Sequence, residues 1–483
     1  MKGRIMDALK KSPRIHVLGI AGQEGRAVFD FFLKEGIKTI GHENTPESDF
    51  KSRFLSYSDA YSKEEAEDMA DRFINSGSDI HFSDRYLSDV EKGDAVIVPQ
   101  AYRRYPINKS LISMAESGDI ALFQAIELAF DIAPCITIGV TGTAGKSTTA
   151  SLIEKIISSS GKKLYFSGND REDKWDFNEL KKIGPDGFAL FEISHRHLID
   201  LKSSPDIAVI TNIYPHHLDD AGSFEKYMDL KKNIIRYQKE GDRAVVNYSL
   251  IESGAIKTED TAAEIFSFGG PEGVSPVFIK DGNILMDGGK QKIISIEELP
   301  FRGEHNIQNA LAATTAVSSI FSADDIRRGL LSWKPLKYRQ EVIWSDGERS
   351  VINDGKSSDP LATIEAVRAV PDISVLVIGG VREGMKSGDF VPLAEEIAKS
   401  SVKTIIIYGR SKDEIGADFA SITERDIKVF SFDSYKDAFQ KAFESHKSGS
   451  LVFSPACQSF DGFRDFRERG EAWNAAVATQ YKG

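Results

Sequence analysis

The hydrophobic pattern of the chain alternates between short apolar runs and longer segments that have one apolar face. Apolar runs such as those within DAVIVPQAY and FALFEI are typical of strands buried on both faces of a parallel sheet. The stretch RIHVLGIAGQEGRAVFDFFLKEGIKTIGHE reads as a strand, a glycine-rich turn, an amphipathic helix and a second strand. The repetition of this order predicts an α/β fold built on mainly parallel sheets.

The same pattern predicts three domains. The segment SGDIALFQAIELAF reads as a strand that leads into a helix, after which a second domain begins near Ile136. The apolar strands VLVIGG, TIIIYG and LVFSPA, separated by helical stretches, define a third. A chain of 483 residues is also too long for one core at about 150 residues per domain. We predict domains at residues 1–134, 135–333 and 334–483.

Composition narrows the class of protein. The chain is 41% hydrophobic and 28% charged, and it lacks an apolar run near the roughly 18 residues of a membrane span. The N-terminus has no cleavable hydrophobic region, and Cys135 and Cys457 are too few and too distant for a disulfide framework or a zinc site. A net charge of -12 argues against a nucleic-acid partner. We expect a cytoplasmic protein.

The strongest local motif is ITIGVTGTAGKSTTASLI, residues 136–153, which reads as a strand, a glycine-bounded turn and a helix start. Backbone N–H groups of such a turn point at phosphate oxygens, Lys146 bridges the terminal phosphates, and the hydroxyl of Ser147 or Thr148 ligates Mg²⁺. Val140 stands at the first glycine of the standard pattern, so this is a variant phosphate-binding loop.

A second cluster follows two neighbouring strands. Glu192 ends the strand FALFEI, and His217 comes after the strand IAVITNI, so both side chains are candidates to face one metal ion. Mg²⁺ prefers oxygen, which makes Glu192 the better ligand and His217 the weaker one. Adjacent histidines in a loop are more often a cap or a surface feature than a ligand.

Glycines also mark the first strand-to-helix turn. Gly19, Gly22 and Gly25 are spaced G-x-x-G-x-x-G rather than G-x-G-x-x-G, which weakens a dinucleotide interpretation. The turn leaves a helix N-terminus that suits a phosphate, or it serves only the backbone.

These motifs carry a resemblance. GVTGTAGKSTT, TNIYPHHLD, GSFEKYMDLKK, GEHNIQNALAA, YRQE, INDGKSSDP and SPACQSFDGFRDFRERG occur in the order and at about the spacings of the Mur ligase family. The resemblance spans nearly the whole chain and is strongest in the central and C-terminal regions. It implies an ATP-dependent amide ligase with a Rossmann-like N-terminal domain for a UDP-sugar, a central P-loop ATPase domain and a Rossmann-like C-terminal domain for an amino acid.

The resemblance implies a nucleotide and metal site. Lys146, Glu192, His217, Lys231, Asp354 and Lys356 match the family's catalytic positions. ATP is expected to contact Gly142, Thr143, Gly145, Lys146, Ser147, Thr148, Asn306, Asn309, Arg339 and Asp354. Magnesium is expected at Ser147, Thr148, Glu192, His217 and Lys231, and the family carbamylates the residue that matches Lys231. Ala144 departs from the asparagine that is usual in the loop.

Substrate sites are implied in the same way. Ser358, Lys386, Ser459 and Phe466 match the positions that hold the amino acid, and the D-x-K pattern of NDGKSSDP favours the D-glutamate branch of the family. The UDP-sugar is expected at Gly22, Glu43, Asn169 and Ser194. Most departures lie at this sugar-nucleotide end, where Pro99-Gln100-Ala101 replaces an S-P-G turn. Tyr102 follows this turn, and the next two residues, Arg103 and Arg104, are either a clamp for the diphosphate or a solvated pair.

The implied reaction joins D-glutamate to UDP-N-acetylmuramoyl-L-alanine through an acyl phosphate, in peptidoglycan precursor synthesis, and a monomer is expected. Two alternatives stay open at this point. One is a Mur-type ligase with another donor or amino acid, including a folate-directed glutamate ligase. The other is a non-catalytic nucleotide-binding relative.

Overall fold

The computed structural model describes residues 3–57, 60–168, 173–214, 223–301, 303–382, 385, 388–419 and 427–481. Within these ranges the chain divides into two compact units. The first contains residues 1–299 and 308–333, and the second contains residues 300–307 and 334–483. The predicted functional boundaries of the domains stay predictions.

The N-terminal sheet belongs to the first unit and is wholly parallel, with strand order β3-β2-β1-β4-β5. Its strands are β1 (Ile15–Leu18), β2 (Ile40–Glu43), β3 (Ile80–Phe82), β4 (Ala95–Val98) and β5 (Ala121–Gln124). Its helices are α1 (Arg4–Lys11), α2 (Gln23–Lys34), α3 (Phe50–Ser56), α4 (Lys63–Ile74), α5 (Lys109–Glu116) and α6 (Ala125–Ile132). Every residue of β1 and β4 is buried, because helices cover both faces of a doubly wound sheet.

The central sheet of the first unit has the order β14-β13-β12-β11-β10-β9-β6-β8-β7. Its strands are β6 (Ile136–Thr141), β7 (Leu164–Ser167), β8 (Phe188–Glu192), β9 (Ile207–Ile210), β10 (Arg243–Asn247), β11 (Glu264–Phe268), β12 (Val277–Lys280), β13 (Asn283–Met286) and β14 (Gln291–Ser295). The pairs from β7 to β12 are parallel, and β13 is antiparallel to both its neighbours. This arrangement puts the carboxyl ends of β6, β8 and β9 side by side, where ligands bind in such sheets.

Helices follow the central strands. They are α7 (Lys146–Ser159), α8 (Phe177–Lys181), α9 (Phe224–Arg236), α10 (Tyr248–Glu252), α11 (Glu304–Val317) and α12 (Ala323–Ser332). Gly329 allows α12 to approach α7, because a Cβ atom there would lie 2.4 Å from the Cα of Ile156. The division between the two units falls within α11.

The second unit is built on a sheet of order β15-β16-β20-β17-β18-β19. Its strands are β15 (Glu341–Ser345), β16 (Arg349–Asn353), β17 (Ile373–Gly379), β18 (Thr404–Tyr408), β19 (Lys428–Phe432) and β20 (Gly449–Phe453). Its helices are α13 (Pro360–Ala369), α14 (Val391–Lys399), α15 (Lys412–Asp418), α16 (Tyr435–Ser445) and α17 (Phe466–Tyr481). Only the β15–β16 pair is antiparallel among the described strands of this sheet.

The predicted fold class, α/β with mainly parallel sheets, is confirmed. None of the helices in the described ranges is long and apolar enough to cross a membrane. Cys135 and Cys457 are both buried and form no disulfide.

Candidate active site

The phosphate loop joins β6 to α7 and depends on two glycines. Gly142 has φ 151° and Gly145, which caps α7, has φ 80°. A Cβ atom on Gly142 would lie 1.9 Å from Oγ1 of Thr211, and one on Gly145 would lie 2.2 Å from Oδ1 of Asn309. Both positions therefore require glycine for backbone conformation and for space.

Asn212, directly beyond β9, fixes the middle of the loop. Its backbone oxygen accepts the Thr143 N–H at 2.9 Å, and its side-chain Oδ1 accepts the Ala144 N–H at 2.9 Å. The Ala144 oxygen in turn accepts hydrogen bonds from Thr211 Oγ1 at 2.6 Å and Asn212 Nδ2 at 3.2 Å. Sequence reasoning missed Asn212; its one signal is its place at the end of a buried strand.

Two lysines converge on this loop. The Nζ of Lys146 donates to the carbonyl oxygens of Gly142 at 3.1 Å and Thr143 at 2.9 Å. The Nζ of Lys231, on α9, donates to the Gly142 oxygen at 3.0 Å and to Thr141 Oγ1 at 3.1 Å. Two predicted residues that are 85 positions apart in sequence are thus brought to one carbonyl group.

The environment of Lys231 disfavours a charged amine. Its side chain is buried, and burial lowers its pKa well below the ordinary value. The positive charge of Lys146 lowers this pKa further, and the carboxylate of Glu192 opposes the shift. Glu192 is itself buried at the end of β8, so the predicted acidic ligand and the predicted modified lysine share one environment.

The donor types around the loop fit a hard cation. Glu192 offers carboxylate oxygens, and Ser147 and Thr148 offer hydroxyls from the first turn of α7. Oxygen ligands of this kind are those that Mg²⁺ takes in phosphate sites. His217 lies outside the described residues.

The two predicted asparagines lie one turn apart on α11. Asn309 is buried, and its Oδ1 accepts a hydrogen bond of 3.3 Å from Thr149 Oγ1 on α7. Asn309 therefore lies against the phosphate loop at Gly145. The Asn306 N–H donates to the Gly303 oxygen at 3.0 Å, in the first turn of the helix.

In the second unit, Asp354 is the centre of a buried polar network. Its Oδ2 accepts hydrogen bonds from Ser357 Oγ at 2.6 Å and Ser454 Oγ at 2.7 Å, and its Oδ1 accepts the Gln340 N–H at 3.1 Å. Burial raises the pKa of Asp354 to about 6, although these hydrogen bonds and the charge of Arg339 oppose the shift. Arg339 and Asp354, both predicted ATP contacts, are thus electrostatically coupled.

Three of the predicted amino-acid residues are described in this unit, together with the predicted catalytic residue Lys356. The Nζ of Lys356 lies 4.9 Å from the centre of the Phe466 ring, within the range of a cation–π contact. Ser459 is buried and Ser358 is half-buried. Lys386 lies outside the described residues.

At the sugar-nucleotide end, the predicted residues are held by internal contacts. Gly22 caps α2, and Glu43 Oε2 accepts the Ala21 N–H at 3.0 Å. Burial raises the pKa of Glu43. The Ser194 hydroxyl donates to Oε1 of Gln100 at 2.5 Å. Asn169 lies outside the described residues.

Glu24, which sequence reasoning did not single out, joins the same network. Its Oε2 accepts the Gln100 N–H at 3.0 Å, and its Oε1 lies 3.2 Å from Nε2 of His197. An internal carboxylate therefore occupies one backbone donor of the altered Pro99-Gln100-Ala101 turn. The two partners are 76 and 173 residues away in sequence, so no local pattern indicated the contact.

Arg103 is half-buried and paired with a carboxylate from another part of the first unit. Its Nε and Nη2 donate to the two oxygens of Asp200, each at 2.7 Å, and the Tyr102 hydroxyl donates to the same carboxylate at 2.5 Å. This bidentate pair joins the end of the N-terminal sheet to the segment after β8. Arg104 is exposed.

A parallel α/β sheet that ends in a phosphate loop, an acidic strand end and a buried lysine defines a nucleotide-using P-loop enzyme. The model of the Mur ligase middle domain matches residues 140–317. The chain belongs to the Mur ligase family, whose members are ATP- and Mg²⁺-dependent amide ligases, and the predicted family and enzyme class are confirmed.

Similar proteins cover most of the chain. The UDP-N-acetylmuramoylalanine–D-glutamate ligase of Thermoanaerobacter sp. (strain X514) is 33% identical over 379 residues, 77% of this chain and 82% of that protein. The enzyme of the same name from Caldanaerobacter subterraneus subsp. tengcongensis is 28% identical over 97% of this chain and 98% of its own length. A MurF ligase from Thermotoga maritima, solved in complex with ADP, has a TM-score of 0.57 at 16% identity and covers 92% of this chain and 95% of that one.

Proposed function

We propose that the protein joins D-glutamate to UDP-N-acetylmuramoyl-L-alanine at the expense of ATP, in peptidoglycan precursor synthesis. Relatives that carry this activity in their names align over most of the chain. The observation that carries the proposal is the buried amine of Lys231 beside Lys146 and Glu192. The proposal assigns the UDP-sugar to residues 1–134, ATP to 135–333 and the amino acid to 334–483, in a cytoplasmic monomer.

The reaction begins with activation of a poor acyl donor. The alanine carboxylate of the donor attacks the γ-phosphorus of ATP, which forms a C–O–P acyl phosphate and releases ADP. The phosphate loop binds the phosphates through its N–H groups, and Lys146 exchanges its two loop carbonyl contacts for β/γ-phosphate oxygens. The remaining predicted ATP contacts, from Asn306, Asn309, Arg339 and Asp354, hold the nucleotide.

Amide formation then needs only a positioned amine. The neutral amine of D-glutamate attacks the acyl carbon, and the tetrahedral adduct loses the amine proton to solvent and expels inorganic phosphate as the C–O bond breaks. Lys386, Ser358 and Ser459 bind the two carboxylates of this substrate, and Phe466 supports Lys356 beside them. No protein nucleophile takes part.

Lys231 is proposed to act as a carbamate. Its neutral amine attacks the carbon of CO₂ and loses a proton, which leaves an anion next to the loop. An ammonium about 4 Å from a dication would be unfavourable by roughly 8 kcal/mol at an effective dielectric of about 20. A carbamate is negatively charged, so its electrostatic interaction with the dication is attractive. Ser147, Thr148, Glu192, His217 and the modified Lys231 would hold Mg²⁺, which when bound neutralises the phosphate charge.

A second candidate differs only in the donor. The Glu24 carboxylate occupies the Gln100 N–H within the altered turn, and this observation favours a Mur ligase that accepts a donor other than UDP-N-acetylmuramoyl-L-alanine. A donor panel separates the two candidates.

The test is phosphate release by the purified protein with ATP, Mg²⁺ and UDP-N-acetylmuramoyl-L-alanine, with and without D-glutamate. L-glutamate and D-lysine serve as matched amino acids. We expect release that requires D-glutamate. Release with another pair alone would contradict the proposed substrates.

A further inference from the structure

Strained backbone is concentrated around one short segment of the second unit. Within the described residues, seven non-glycine residues have positive φ. Three of them are Tyr338 (φ 60°), Gln340 (φ 50°) and Ala456 (φ 59°). All three hydrogen-bond to residues 354–357, the segment with the D-x-K pattern.

The three hydrogen bonds hold three of the four residues in that segment. The Tyr338 oxygen accepts the Lys356 N–H at 3.0 Å. The Gln340 N–H donates to Asp354 Oδ1 at 3.1 Å, and the Ala456 N–H donates to the backbone oxygen of Ser357 at 3.0 Å. A left-handed backbone is unfavourable for a bulky residue and persists only where the surroundings enforce it, which is typical of functional sites.

Contacts on several sides hold Tyr338 in this backbone conformation. Its hydroxyl donates to Glu471, and its N–H donates to Glu341 Oε2 at 3.0 Å. Its ring meets the Phe466 ring edge to face, with centroids 6.3 Å apart. A Cβ atom on Gly470 would lie 2.4 Å from Cδ1 of Tyr338, so the helix backbone of α17 closes the other side.

Tyr338 therefore touches the predicted catalytic residue Lys356 and the predicted amino-acid residue Phe466, and it is not itself a predicted site residue. Its oxygen holds the main chain of Lys356, and its ring supports Phe466, whose own ring lies under the Lys356 ammonium at 4.9 Å. We propose that Tyr338 is a positioning residue that sets the Lys356–Phe466 pair for the dicarboxylate amino acid. This rests on the proposed function, and it assigns a role to a residue that makes no predicted substrate contact.

The sharpest test displaces the Tyr338 ring without changing any polar group. Gly470→Ala puts a methyl group against that ring, whereas Gly416→Ala, in α15, makes the same change where a Cβ meets nothing within 4 Å. KM for D-glutamate, KM for ATP, kcat and Tm are measured for both. We expect Gly470→Ala to raise KM for D-glutamate by about tenfold relative to Gly416→Ala, with KM for ATP within about twofold.

Tyr338→Phe is the second variant, because it removes only the hydroxyl that binds Glu471 and adds no clash. We expect a rise of about two- to tenfold in KM for D-glutamate, the worth of one hydrogen bond, with Tm little changed. Unchanged KM for D-glutamate in both variants, or equal rises in both KM values, would overturn the proposal. If the wild type uses another amino acid of the panel, the proposed function fails. The KM of each variant for that amino acid is then compared with its KM for ATP in the same way.

Discussion

The Nζ of Lys231 lies 3.0 Å from the carbonyl oxygen of Gly142, so a fully buried amine donates a hydrogen bond to the phosphate loop. The same oxygen accepts a hydrogen bond from Lys146 at 3.1 Å. Two amines at one carbonyl repel each other when both are charged, and burial together with the charge of Lys146 lowers the pKa of Lys231 well below its ordinary value. This arrangement supports the proposal that Lys231 acts as a carbamate.

The first prediction concerns this lysine. Lys231→Met removes the proposed carbamate, and we expect kcat to fall by about 10- to 100-fold, the range for loss of a group that supports a metal site. Lys232→Met is the matched control, because it removes a neighbouring lysine whose Nζ is paired with Asp260 at 3.0 Å. NMR of protein equilibrated with ¹³CO₂ should show a carbamate signal in the wild type and in Lys232→Met only. A signal that persists in Lys231→Met would refute the assignment.

The second prediction concerns loop geometry. Gly145→Ala strains a backbone of φ 80° and places a Cβ 2.2 Å from Asn309 Oδ1. Gly161→Ala strains a similar backbone, φ 76°, where a Cβ meets nothing within 4 Å. Both should lose about 1–2 kcal/mol of stability from backbone strain, but only Gly145→Ala should raise KM for ATP, by about tenfold or more. Equal KM values for ATP would mean that the Gly145–Asn309 contact does not shape the nucleotide site.

The third prediction is a pH dependence of stability. The folded pKa of Asp354, about 6, lies above its ordinary value of 3.8, so between these values the folded protein binds more protons than the unfolded chain. The contribution of Asp354 to stability is therefore present at low pH and is lost as pH rises through about 6. Asp354→Asn lacks this titration, so only the wild type loses this stability as pH rises. The Tm of the variant minus the Tm of the wild type should therefore increase by about 2–4 °C between about pH 5 and about pH 7.

Asp346→Asn provides the control for that measurement. Its backbone hydrogen bond from Arg349 lowers the pKa of Asp346, so this carboxylate is ionised in both states across the same pH range. The Tm difference between Asp346→Asn and wild type should stay constant. A flat difference for Asp354→Asn as well would show that burial does not raise the pKa of Asp354.

The fourth prediction separates a structural ion pair from a phosphate clamp. Arg103 is bound to both oxygens of Asp200, so Arg103→Ala should lower Tm while KM for the UDP-sugar donor stays within about twofold. A double-mutant cycle with Asp200→Asn should give a coupling energy of about 1 kcal/mol. Arg104→Ala should change neither quantity, because Arg104 is exposed. A tenfold rise in donor KM for Arg103→Ala would show instead that Arg103 binds the diphosphate of the donor.

Local patterns were sufficient to predict part of the site. Glycine spacing and the adjacent Lys146 marked the phosphate loop, because one short segment supplies its two glycines and its lysine. Apolar runs predicted the parallel sheets, and the antiparallel β13 and β14 were missed because their polar edge residues weaken the strand pattern.

Other features depend on contacts between distant parts of the chain. The role of Lys231 came from the family resemblance, since its helix has ordinary amphipathic spacing and nothing local indicates a fully buried amine. Glu24 and His197 are 173 residues apart, and Tyr338 and Gly470 meet only through the fold. Residues of this kind become visible only when tertiary packing is known.

The most direct test of the central claim follows an oxygen atom. UDP-N-acetylmuramoyl-L-alanine labelled with ¹⁸O in its alanine carboxylate is turned over with ATP, Mg²⁺ and D-glutamate, and the released phosphate is analysed by mass spectrometry. An acyl phosphate transfers one carboxylate oxygen to each phosphate, so the account predicts singly labelled phosphate that forms only when D-glutamate is present. Unlabelled phosphate, or labelled phosphate formed equally well with L-glutamate, would contradict it.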